Sequence, residues 1–147
     1  MTDTYAEQLL IEKFKTLKGL LTETSKDEAG NNVVSYPEIA FPNESFERPD
    51  DGYWYELYFL PTEPVQVELG SEARSRWSGV MQINICVPKN DGIVPLNSRY
   101  DNIASLFRSG SIIDGVRIRR TYRTSALDDG DYYVMPVSVE WQADLDR

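Results

Sequence analysis

"SEARSRWSGVMQINICVPKNDG", residues 71–92, decides the fold. Within it Met81, Ile83, Ile85 and Val87 alternate with Val80, Gln82, Asn84 and Cys86. A period of two is the signature of a β-strand, here with one face apolar enough for a core and the other wetter. Pro88 and the Asn90-Asp91-Gly92 turn end it. Ahead of the alternation stand Arg74, Arg76 and Trp77. Both arginines are expected on a hairpin connection leaving the sheet edge, able to reach beyond their own domain.

More strands lie on either side. In "YWYELYFL", residues 53–60, Tyr53, Tyr55, Leu57 and Phe59 alternate with Trp54, Glu56, Tyr58 and Leu60. Both faces carry bulk, which predicts a strand inside the sheet. "PVQVEL", residues 64–69, points Val65, Val67 and Leu69 one way. Further on, "GVRIRRTYR" (115–123) alternates Val116, Ile118, Arg120 and Tyr122 against Arg117, Arg119, Thr121 and Arg123, a strand with a basic stripe. The last strand turns Tyr133, Met135, Val137, Val139 and Trp141 to one side, and Pro136 predicts an edge position or a bulge.

Two segments have helical spacing instead. Ala6, Leu10, Phe14, Leu17 and Leu21 predict a first helix over 5–22, with Thr4 and Glu7 as a capping-box pair. Leu96, Tyr100, Ile103 and Phe107 predict a second over about 96–108, with Pro95 in its first turn and Gly110 as its stop. Thr24 to Asn32 reads as a loop or the start of a short hairpin, Val33 to Phe41 as an irregular edge strand around Pro37, and residues 42–52 as an exposed acidic loop. The sum is one α+β domain over 1–147: a mostly antiparallel mixed sheet, strands from 53 to 142, with two helices packed on one face.

Composition narrows the function. A chain of 147 residues fits one ordinary domain. Its 24 acidic against 15 basic residues, net charge −9, argue against a general nucleic-acid or anionic-membrane binder. The start lacks a secretory pattern and no stretch is long and apolar enough for a membrane span, so a cytoplasmic protein is expected. The lone Cys86, inside an alternating run, reads as a small half-buried side chain.

Catalytic chemistry has little to draw on. The chain has no histidine, and neither phosphate-loop nor dinucleotide glycine motifs occur. The acidic clusters Asp128-Asp129-Asp131 and Glu44, Glu47, Asp50, Asp51 read as a tight turn and a solvated loop rather than cation sites. No catalytic, cofactor or metal residue is assigned. Arginine is concentrated at Arg74, Arg76, Arg117, Arg119, Arg120 and Arg123. Three readings compete: a phosphate track, a solvated face, and contacts with acidic surface on another subunit, where arginine is favoured over lysine.

A resemblance bears on that choice. Phe41-Pro42-Asn43 before a proline loop, the pattern LPxEPxQxxLG at Leu60 to Gly70, GxxQIxIxxPxxxG at Gly79 to Gly92 and the closing stretch Trp141 to Asp144 resemble the tail terminator (tail completion) proteins of long-tailed bacteriophages. The likeness spans most of the chain; Thr24 to Asn32 and the acidic loop Glu44 to Asp51 depart from it. It implies a structural protein without catalysis, assembling as a ring, commonly a hexamer, on the last ring of the tail tube. Such a protein stops tube growth and forms the surface for head joining. The implied partners are its own copies, the tail tube protein and a head-completion or connector protein, with DNA passing the lumen unbound. The implied location is the head-proximal end of the virion tail, reached from the host cytoplasm, with no membrane and no cofactor.

On this reading Arg74, Arg76, Trp77, Arg117, Arg119 and Arg123, with Glu44, Glu47 and Asp50, are the candidate subunit or tube interface. A monomeric adaptor holding a peptide at a sheet edge, and an enzyme using carboxylates or a metal, are the alternatives.

Overall fold

The computed structural model describes residues 3–16, 23–26, 28–35, 38–47, 53–61, 65–66, 74–89, 92–130 and 132–146. Helix α1 (Asp3–Lys15) is followed by strands β1 (Glu23–Lys26), β2 (Asn32–Ser35), β3 (Glu38–Ala40), β4 (Trp54–Pro61), β5 (Val65–Gln66) and β6 (Arg74–Pro88). Helix α2 (Val94–Leu106) then leads to β7 (Ile112–Ile113), β8 (Val116–Arg123), β9 (Leu127–Asp129) and β10 (Tyr132–Asp146). The main sheet has the order β3-β4-β6-β10-β8-β7, with β5 added beside β6 and β9 beside β10. Every pairing in it is antiparallel except β3 with β4. This is the α+β mixed sheet expected, and β1 and β2 form a separate two-stranded hairpin.

Alternation in β6 and β10 builds the core. Met81, Ile83, Ile85 and Val87 lie in register with Val139, Val137, Met135 and Tyr133, and Phe59, Leu57 and Tyr55 on β4 extend the same rows. Both helices pack on this inner face. Ala6, Leu10 and Phe14 of α1, Leu96 and Ile103 of α2, and Phe107 just past it are fully buried there. Phe14 meets Tyr55 edge-on at 5.5 Å between ring centres and stacks with Phe107 at 6.5 Å, so one side chain locks both helices to the sheet.

Several expectations are corrected. Helix α1 begins at Asp3, one residue ahead of the expected cap Thr4, and ends at Lys15; Leu17 and Leu21 lie outside the described residues. The arginines ahead of the central strand are not on a connection: β6 starts at Arg74, and Arg74 and Arg76 pair in register with Asp146 and Asp144. Val67 and Leu69 fall outside the described residues, and β5 is two residues long.

Pro136 sits neither at an edge nor in a bulge, because β10 lies between β6 and β8. Its carbonyl accepts the Thr124 N–H at 3.0 Å. The N and C=O of a strand residue point the same way, so the missing N–H faces the place where β8 has already ended at Arg123, and no ladder bond is lost.

The bulge of β10 and β8 falls instead where Ile118 pairs Trp141 and Arg120 pairs Glu140, leaving Arg119 extra. That insertion reverses which side chains face which way beyond it. Arg120 and Tyr122 join Arg117 and Arg119 on the outer face, while Thr121 and Arg123 turn toward the helices. Thr121 Oγ1 donates to the Phe107 carbonyl at 2.7 Å.

Candidate interaction surface

The outer face of the sheet carries no described helix. Its rows run Trp54–Cys86–Val134, Glu56–Asn84–Pro136, Tyr58–Gln82–Ser138–Tyr122 and Leu60–Val80–Glu140–Arg120, ending with Ser78–Gln142–Arg117. At the first row Trp54, Cys86 and Val134 are buried in a small second cluster, roofed by Phe46 and Tyr132. Trp54 and Tyr132 meet edge-on at 4.2 Å between ring centres. The Cys86 thiol donates to Glu56 Oε1 at 3.5 Å, so the lone cysteine is a packed side chain. Beyond that roof the face is open: Tyr58 is 48% and Leu60 54% exposed.

Charge on this face is sorted along the strands. Phe46 anchors the loop after β3 against Trp54, and the flanking Glu44 and Glu47 are exposed at that end. Asp129, in register with Tyr132, adds a carboxylate there. At the far end Arg117, Arg119 and Arg120 stand on β8, and Arg76 occupies an outer position of β6. Among the described side chains, Glu140 is the carboxylate sharing that end. Ten residues of β10 separate Tyr132 from Gln142, about 33 Å at ~3.3 Å per residue. One end is acidic and the other basic.

At the basic end Arg120 grips Glu140 through two bonds, Nε to Oε2 at 2.7 Å and Nη2 to Oε1 at 3.0 Å, and lies over the Tyr122 ring at 4.7 Å. Tyr122 Oη adds a bond to the same carboxylate at 3.4 Å. The Arg120 hydrogen bond, then its charge, holds the Glu140 carboxyl below its ordinary range against the opposing effect of burial, and Tyr122 and the Arg119 charge add to it. The reciprocal bond raises Arg120. A depression of about 210 Å³ beside this pair is lined by Ser78, Gly79, Val80, Arg119, Glu140 and Trp141.

The candidate residues are therefore only partly brought together. Arg117 and Arg119 share the basic end with Arg76, all three exposed. Arg123 is on the opposite face, donating to Asn97 Oδ1 and lying over Tyr100 at 5.2 Å, which fastens α2 to the sheet. Trp77, half-buried on the inner face, packs against the main core. Glu44 and Glu47 lie at the acidic end, remote from the arginines of the same chain, and Asp50 is outside the described residues. Asp128 lies 3.9 Å from Lys89, and among the described residues no group of acidic or cysteine side chains converges to hold a metal ion. Single-residue counting missed the Arg120–Glu140 pair, whose signal is register across the bulge.

Among the described residues the mixed sheet has helices on one face only, and the charged side chains of the other face are sorted toward its two ends. Residues 21–141 match the family model for phage tail terminator protein, and the chain belongs to that family. Membership carries a structural role in tail completion and a place in the virion tail. Helix α1 precedes the matched span. A solved structure aligns with TM-score 0.60 at 20% identity, over 75% of this chain and 81% of its own, and shows the same fold. No curated protein matches the chain.

Proposed function

We propose that this protein caps the tail tube: copies assemble side by side into a ring, stop tube polymerisation and present the surface to which the head joins. The observation that carries this reading is the charge sorting of the open sheet face. A closed ring needs two different, complementary patches on every copy, so that each copy offers one and receives the other. An acidic end at Glu44 and Glu47 and a basic end at Arg76, Arg117 and Arg119 supply such a pair. They lie too far apart to neutralise one another within a chain.

Complementary fields of this kind set register and speed of encounter more than raw affinity. The excess of 24 acidic over 15 basic residues also suits a lumen through which DNA slides, since an acidic wall repels phosphate. Hexameric stoichiometry, the tube protein and the head connector as partners, and assembly in the host cytoplasm belong to the same proposal.

Charge reversal tests it. Arg117→Glu with Arg119→Glu should leave the fold intact, abolish ring formation and yield overlong tubes that fail to join heads in electron micrographs. Adding Glu44→Lys and Glu47→Lys should restore rings. Normal capping by the protein carrying only Arg117→Glu and Arg119→Glu would overturn the reading, and loss of DNA affinity alone would favour a phosphate track.

A further inference from the structure

The two edges of the main sheet are finished differently. On the β8 side the segment after α2 closes the ladder: Gly110 N–H reaches the Ile118 carbonyl at 2.7 Å, Ile118 N–H the Ser111 carbonyl at 2.8 Å, and Thr121 N–H the Ser109 hydroxyl at 3.2 Å. On the other side β3 covers β4 only from Trp54 to Glu56. From Leu57 to Pro61, β4 has β6 on one flank and no described strand on the other. An apolar edge without lysine, and with no described element over it, is a template for another chain. Tyr58 and Leu60 on this stretch are among the most exposed large apolar side chains of the molecule.

The β1–β2 hairpin has the opposite shortage. Its strands pair Glu23 to Lys26 with Ser35 to Asn32, and neither pairs with any other described strand. A lone two-stranded hairpin is marginal in water and gains stability from a third strand. Its four-residue strands match the five-residue open stretch of β4. Charge sets the direction. Glu28 is exposed at the hairpin tip, and the open stretch runs toward the basic end, where Val65 of β5 is in register with Arg76.

We propose that the β1–β2 hairpin of one copy adds to the open β4 edge, Leu57–Pro61, of a second copy, with its Glu28 tip toward the second copy's Arg76. The contact is strand addition: backbone bonds supply the affinity, and alternate side chains such as Tyr58 and Leu60 supply the fit. It rests on the reading that copies associate, and its backbone contact along β4 is distinct from the pairing of the sheet's charged ends, with which it shares Arg76.

Amide hydrogen exchange across a concentration series, with oligomeric state followed by sedimentation, tests it. On association the amides of 32–35 and of 57–61 should slow together, roughly tenfold or more. Leu60→Lys and Glu28→Lys, both at exposed positions, should each weaken association roughly tenfold or more with melting unchanged. Rings that form without protection of these two stretches, or association untouched by both variants, would overturn the hairpin contact and leave the capping reading standing. Paired protection in a closed dimer would sustain the hairpin contact and overturn the ring. A monomer at every concentration, alone or with tube protein, would overturn both.

Discussion

Glu140 shows how one carboxylate is placed by register. It sits opposite Arg120 beside the bulge, and because the Arg120 side chain is 64% exposed against 21% for Glu140, solvent screens the pair despite its two bonds. Its carboxyl titrates below the ordinary 4.5 in the folded chain. A group with a lowered folded pKa stabilises above its unfolded value and loses that contribution as pH falls through the folded one. Urea midpoints of the wild type and Glu140→Gln should therefore differ by a constant gap near neutrality, and the gap should close in acid below about pH 4.5. A gap that widens in acid would contradict the pairing. Gly79 makes a second point at this scale. A Cβ there would lie 3.0 Å from Trp141 Cζ2 and 3.1 Å from the Leu60 carbonyl. Because buried Trp141 and a strand backbone cannot easily retreat, Gly79→Ala should cost about 1–3 kcal/mol in denaturant unfolding.

At the scale of elements, the helices are held by their apolar stripes. Phe14 and Phe107 are both fully buried and stack on one another. Truncating either to alanine should cost about 3–5 kcal/mol, and because they touch, the double variant should lose less than the sum. Calorimetry of the three variants checks this. The apolar members of these elements were legible from period alone: Ala6, Leu10 and Phe14 in α1, Leu96 and Ile103 in α2, and the alternating set of β6 and β10. Misplaced elements fail for a common reason. A bulge adds one residue without any local signature, so Arg120 and Arg123 exchanged faces. Pro136 looked like an edge residue because the end of β8 opposite it is invisible from β10.

Across the whole molecule, the proposed contact between the acidic and basic ends of neighbouring copies is electrostatic. Raising salt from roughly 0.01 M to roughly 1 M shortens the screening length from ~30 to ~3 Å. Self-association measured by light scattering should weaken across that range. The Leu60→Lys variant should keep the same salt slope while starting from weaker association, because strand addition is mainly backbone bonding. Association that strengthens steadily with salt would point to apolar contact and against the charged ends.

Alternation and helical spacing, the lack of histidine and the turn patterns from Leu60 to Gly92 by themselves determined an α+β domain, no visible catalytic constellation and likeness to tail terminators. Those signals are local, each set by neighbours within about one turn or one hairpin. Only the tertiary structure decided that Arg74 and Arg76 lie inside β6 opposite Asp146 and Asp144, that the arginine stripe splits at Arg119, and that acid and base occupy opposite ends of the face without a described helix. Each of those depends on register between strands distant in sequence. A shift of one residue there moves a side chain to the other face, and nothing in the residue's own neighbourhood records it.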